Sequence, residues 1–104
     1  MTAMEYHGVD IPTERIAAFC RKWRITEFAL FGSVLRPDFR PDSDIDVLIT
    51  FGRDAPWSLW DMDDLSDELR QLLVREVDVV SKRALKNPFR RHEILTTRRV
   101  IYAA

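Results

Sequence analysis

The chain has 104 residues, 46% hydrophobic and 32% charged, with 16 Lys plus Arg against 17 Asp plus Glu and a net charge of −1. That describes one soluble globular domain over residues 1–104, without the basic excess of an extended nucleic-acid footprint. Cys20 is a lone cysteine and the two histidines complete no zinc or haem spacing, while no leader or membrane-length apolar run is present. The expectation is a cytoplasmic, membrane-free protein in which any metal is held by oxygen ligands.

After an N-terminal stretch with no clear pattern, Pro12 opens a helix whose apolar stripe is Ile16, Phe19, Cys20 and Trp23. "ITEFALF", residues 25–31, is β-branched and aromatic, hence a strand. Gly32 ends it, and Ser33 opens a short helical turn. "PDFRPDS" is loop, because two prolines among polar neighbours forbid regular structure. A second strand is expected from Asp44 to Phe51. Ser58 and Asp61 form a capping-box-like start for a helix carrying Met62, Leu65, Leu69, Leu72 and Leu73. "EVDVVS" is a third strand, Asn87-Pro88 starts another helix, and "VIYAA" is extended. Helices and strands in this order predict an α+β fold, a small mixed β-sheet flanked by helices.

The second strand poses a chemical question, since two acids stand at its entrance. Side chains alternate along a strand, so Asp44, Asp46, Leu48 and Thr50 share one face, with the two acids roughly 7 Å apart at Cα. Carboxylates so placed can converge on a hard divalent cation such as Mg²⁺, which takes one or two of them together with water and substrate phosphate. Asp78 lies among valines in the third strand, where the apolar setting predicts burial and an unpaired carboxylate would be costly. Three acids suit a phosphoryl-transfer site with paired ions. On the opposite wall, Gly32 lets the backbone approach a ligand, and a helical turn opened by Ser33 would offer free N–H groups and a hydroxyl to phosphate.

Each feature also has a plain structural explanation. Gly-Ser is a common turn and cap, and Asp-x-Asp a common solvated turn. Asp78 could be satisfied by an arginine or by backbone N–H groups. Arg36 and Arg40 could hold phosphate or simply be solvated, and Trp57 and Trp60 could stack on a base or simply pack. Their order along the chain is what argues for a site: strand, Gly-Ser, a fixed gap, paired acids on one face, then a third acid.

Gly32-Ser33, ten intervening residues and Asp44-x-Asp46 resemble the G-S-x(9–10)-D-x-D signature of the polymerase-β-like nucleotidyltransferase superfamily. With "LRPDFRPDSDIDVLI", "VDVV" and the "RVIYAA" ending, the chain from about Pro12 to Tyr102 is similar to the minimal nucleotidyltransferases, the MntA-type antitoxins of HEPN/MNT toxin–antitoxin pairs. The resemblance implies that Asp44 and Asp46 are Mg²⁺ ligands. It makes Asp78 the third acid, assisting metal binding or deprotonating the acceptor hydroxyl. Gly32 and Ser33 would bind the triphosphate. It further implies in-line attack on the α-phosphate of ATP with release of pyrophosphate, the acceptor being a tyrosine of a cognate HEPN ribonuclease, which is thereby silenced. Arg36 is followed by Pro37 where many superfamily members have Arg-Gly after the Gly-Ser, so no role is carried over to Arg36. The chain lacks the R-x(4–6)-H run expected of the toxin. Its size and charge leave little for holding nucleic acid, so a partner protein is expected to bring the acceptor. The alternatives are neutralisation by stoichiometric binding of the toxin, and a stand-alone enzyme acting on a small molecule or RNA end.

Overall fold

The structure is a computed structural model in which residues 3–104 are described. It begins with a feature the sequence pattern left unassigned. Strands β1 (Ala3–Tyr6) and β2 (Val9–Pro12) pair antiparallel across His7–Gly8. Both turn residues are left-handed, with φ of 49° and 89°, the two-residue turn whose twist matches a hairpin. Val9 and Ile11 are buried while Asp10 between them is exposed.

Helix α1 (Thr13–Lys22) follows, with Pro12 at its N-cap rather than inside its first turn. Ile16, Phe19 and Cys20 are its buried face, and Trp23 packs just beyond its end. Strand β3 (Ile25–Phe31) leads into a 3-10 turn over Gly32–Leu35, the loop "RPDFRPDS", and strand β4 (Ile45–Phe51). Helix α2 (Leu59–Leu73) starts where the capping box was read: the Asp61 carboxylate accepts the Ser58 backbone N–H at 2.8 Å and the Ser58 hydroxyl at 3.0 Å. Strand β5 (Val77–Ser81) and a 3-10 turn (Lys82–Ala84) precede α3 (Pro88–Thr97), and β6 (Arg99–Ala103) closes the chain. Proline fits the first position of α3, and the Asn87 side chain caps it by accepting the N–H groups of Phe89 and Arg90 at 3.0 and 3.2 Å.

The sheet runs β5-β4-β3-β6, with β4 and β5 parallel and the other pairs antiparallel. A parallel pair needs a crossover, which α2 supplies. On one face Phe28, Leu30, Val47 and Ile49 pack against Ile16 and Phe19 of α1 and Leu65 and Leu69 of α2. On the other, Ala29, Phe31 and Leu48 pack against Ile94 of α3 and Leu85. The sheet is thus the middle of three layers, the mixed α+β arrangement expected. The Arg98 guanidinium, donating to Glu27 at 2.8 Å, ties the end of α3 to β3. No helix among the described residues is long and apolar enough to cross a membrane.

Candidate active site

Asp46 is the second residue of β4, a central strand, and pairs in register with Phe31 of β3 on one side and Asp78 of β5 on the other. Partners in register point to the same face, so Asp46 and Asp78 stand side by side. Asp44 belongs to the approach: the strand begins one residue later than expected, at Ile45, whose N–H donates to the Glu76 carbonyl at 2.9 Å. Asp46 is half-buried and Asp44 is exposed.

Asp78 departs from its expected burial and is exposed. Two facts of the fold explain this. Strand β5 is the edge of the sheet, and α3 covers its face at Val80 but not at Asp78. The flanking Val77 and Val79 point the other way, into the α1/α2 core, which is why the sequence looked buried.

Gly32 adopts φ +75°, and a Cβ placed there would overlap Asp46 Oδ2 and come within 3.3 Å of its Cγ. The Asp46 carboxylate therefore rests directly on the Gly32 backbone. It also accepts the Ser33 backbone N–H. That corrects one expectation: the Ser33 N–H is engaged by an acid and is not free for phosphate, which leaves the hydroxyl. Burial first, then the charges of Asp78 and Asp44, push the Asp46 pKa above the usual carboxylate range, with Arg90 and the Ser33 N–H pulling the other way.

Among the described residues, no three His, Cys, Asp or Glu side chains converge closely enough to enclose a metal ion. A Mg²⁺ site does not require such a cage, since one or two carboxylates plus water and substrate phosphates suffice. Two adjacent hard-oxygen donors, Asp46 and Asp78, fit an ion completed by its substrate.

A cavity of about 740 Å³ opens beside this point. Its walls are the β1–β2 hairpin tip at Tyr6 and His7, the Phe31-Gly32-Ser33 corner, and α3 with Arg90, Glu93, Ile94 and Thr97, continuing to Arg99. Arg36 also lines it, but its guanidinium is held by Asp38 through two hydrogen bonds of 3.1 and 3.0 Å. Arg40 is exposed and lies outside the cavity. Trp57 packs against Trp23, with ring centroids 4.9 Å apart and its Nε1 donating to the Trp23 carbonyl at 2.7 Å; Trp60 is exposed, and neither lines this cavity.

Sequence reasoning missed Arg90 and Arg99. One signal was present for Arg90. It stands in the first turn of α3, where the helix dipole disfavours a cation, and no acid accompanies it there.

Fold and motif together are those of a nucleotidyltransferase, and comparison with known proteins agrees. The sequence pattern of the nucleotidyltransferase domain matches residues 14–101, and the chain belongs to that family. Its resemblance to the minimal nucleotidyltransferases is upheld by relatives and by a solved minimal nucleotidyltransferase, 33% identical over 84% of this chain and 86% of that one with a TM-score of 0.70. MJ1217 of Methanocaldococcus jannaschii, named as a candidate protein adenylyltransferase, is 35% identical over 65% of this chain and 67% of its own length. The protein adenylyltransferase MntA of Thermococcus cleftensis is 36% identical over 64% of this chain and 65% of its own. Two solved complexes share the fold. A toxin–antitoxin with AMP-PNP superposes with a TM-score of 0.72 at 19% identity, covering 90% of this chain and 75% of that one. A tri-AMPylated Shewanella oneidensis HEPN toxin in complex with its MNT antitoxin gives 0.62 at 18% identity, covering 88% and 70%.

Proposed function

We propose that the chain is a Mg²⁺-dependent protein adenylyltransferase antitoxin, transferring AMP from ATP to a tyrosine hydroxyl of a cognate HEPN ribonuclease in the cytoplasm and so silencing it. The observation that carries this reading is the contact of Asp46 with Gly32 and Ser33, beside Asp78 and at the wall of an arginine-lined cavity. The relatives named as protein adenylyltransferases and the neighbour holding an ATP analogue support it.

In this reading Asp44, Asp46 and Asp78 are the metal-binding and catalytic acids, and Gly32 and Ser33 bind the nucleotide. When bound, Mg²⁺ supplies positive charge for the phosphates and the leaving pyrophosphate. Gly32 admits the ligand by having no side chain, and Ser33 offers its hydroxyl while its N–H holds Asp46 in place. Asp78, exposed at the sheet edge, is accessible to an acceptor hydroxyl and takes its proton as the oxygen attacks the α-phosphorus.

The test is incubation with α-labelled ATP, Mg²⁺ and the HEPN toxin. Label appears on a toxin tyrosine with the wild-type chain and is lost with Asp44→Ala and Asp46→Ala. Label that persists in those variants overturns the reading.

A further inference from the structure

We infer that Arg90 and Arg99, set near the two ends of α3, hold the polyphosphate of the nucleotide, Arg90 at the reacting end and Arg99 at the terminal phosphate. The inference rests on the nucleotide-binding part of the function proposed above.

Three observations lead to it. First, the cavity walls carry Arg36, Arg90 and Arg99 against one acid, Glu93, an excess of positive charge suited to a polyanion. Second, the nearer anion-binding groups are already occupied. Arg36 is paired in two-pronged fashion with Asp38, and the Ser33 N–H is donated to Asp46. Third, the Arg90 and Arg99 guanidinium groups make no hydrogen bond or ion pair among the described residues. Two unpaired guanidinium groups in one cavity repel each other, and bound phosphate relieves that repulsion.

Their positions give the order. Arg90 shares the cavity wall with Gly32 and Ser33, and Gly32 touches Asp46, on which Arg90 also acts electrostatically, so it belongs at the end nearest the acids. Arg99 follows α3 and pairs with Leu30, so it leaves the sheet on the α1/α2 face, opposite Asp46, and reaches the cavity at its margin beyond the end of the helix. The helix rise separates residues 90 and 97 by roughly 10 Å, a span that an extended polyphosphate can bridge. Glu93 lies between them in sequence and disfavours phosphate bound away from the two cations.

Equilibrium binding of ATP, ADP and AMP, with Mg²⁺, to the wild-type chain, Arg90→Ala, Arg99→Ala and Arg99→Lys tests the inference. Arg83→Ala, outside the cavity, controls for loss of charge. Arg99→Ala should weaken ATP by about 10- to 100-fold while leaving AMP far less affected, whereas Arg90→Ala, at the α-phosphate that AMP shares, should weaken both. Arg99→Ala should reduce the preference for ATP over ADP, and Arg99→Lys should restore part of it. Arg83→Ala should bind all three as the wild type does, and thermal melts confirm that each variant is folded. Variants that bind ATP as tightly as the wild type overturn the inference and leave the proposed function standing, as does equal weakening of ATP and AMP by Arg99→Ala. A folded wild-type chain that binds no ATP overturns both.

Discussion

The Asp46 carboxylate lies against the bare Cα of Gly32 while accepting the N–H of Ser33. Gly32 is therefore needed twice, for its left-handed backbone and for the space its missing Cβ leaves. Gly32→Ala should cost about 1–2 kcal/mol from the backbone alone. It should also push the carboxylate aside, and misplacing a reacting group by about an ångström can cost roughly 100-fold in rate. Adenylyl-transfer assays beside denaturant melts will separate these effects. Near-wild-type transfer in a destabilised variant would show that the contact is structural.

Asp46 is held above the usual carboxylate range by burial and by two neighbouring acids. The folded chain thus binds this proton more tightly than the unfolded chain does. The stabilisation is present at low pH and is lost as pH rises from the unfolded carboxylate value through the raised folded one. At neutral pH, without metal, ionised Asp46 is a liability. Asp46→Asn should therefore melt a few degrees higher than the wild type at pH 7, the difference shrinking as pH falls towards 4. An Asn variant that melts lower at pH 7 would mean that the Ser33 hydrogen bond outweighs the repulsion.

Repulsion among the acids also predicts a response to Mg²⁺. Thermal melts with Mg²⁺ and ATP should lie above EDTA controls, a ligand at a hundred times its Kd adding about 2.7 kcal/mol. The Asp44→Ala, Asp46→Ala double variant should lose that increment. Identical wild-type melts in Mg²⁺ and EDTA, with and without ATP, would count against a metal site.

Burial pushes the Cys20 thiol up to about 12, against a smaller opposing pull from Arg21. At pH 8 only about one thiol in ten thousand is then ionised, and the thiolate is the form that alkylates. Iodoacetamide should leave the native protein unmodified at pH 8 and label it fully in denaturant. Rapid labelling of the folded chain would show that α1 opens readily.

The legible parts were those where one local signal decided the outcome. Leu65, Leu69 and Leu72 announced α2, Asn87-Pro88 fixed the start of α3, and "ITEFALF" and "IDVLITF" marked the central strands. The β1–β2 hairpin was missed although His7–Gly8 with alternating Val9 and Ile11 is a hairpin signal, because its strands are only four residues long. Asp78 was read as buried because periodicity cannot distinguish an edge strand from a central one. The motif set Gly32 and Ser33 on one wall and Asp46 on the other, whereas in the structure they touch and the Ser33 N–H serves the acid. Arg99 was out of reach for a different reason, and Arg90 was marked only by its unfavourable place in the first turn of α3. Nothing along the chain says that α3 lies over the face carrying Asp46.

The parallel pairing of Asp46 with Asp78 has a consequence for assembly. Slipping β5 by one residue would turn Asp78 from the open face into the layer occupied by Leu65 and Leu69, burying an unpaired charge. Strand β5 is an edge strand delivered by a long crossover, the kind of element most prone to settle in the wrong register. The carboxylate assigned to chemistry thus also acts as a proofreader, making the misaligned sheet unstable before any substrate arrives.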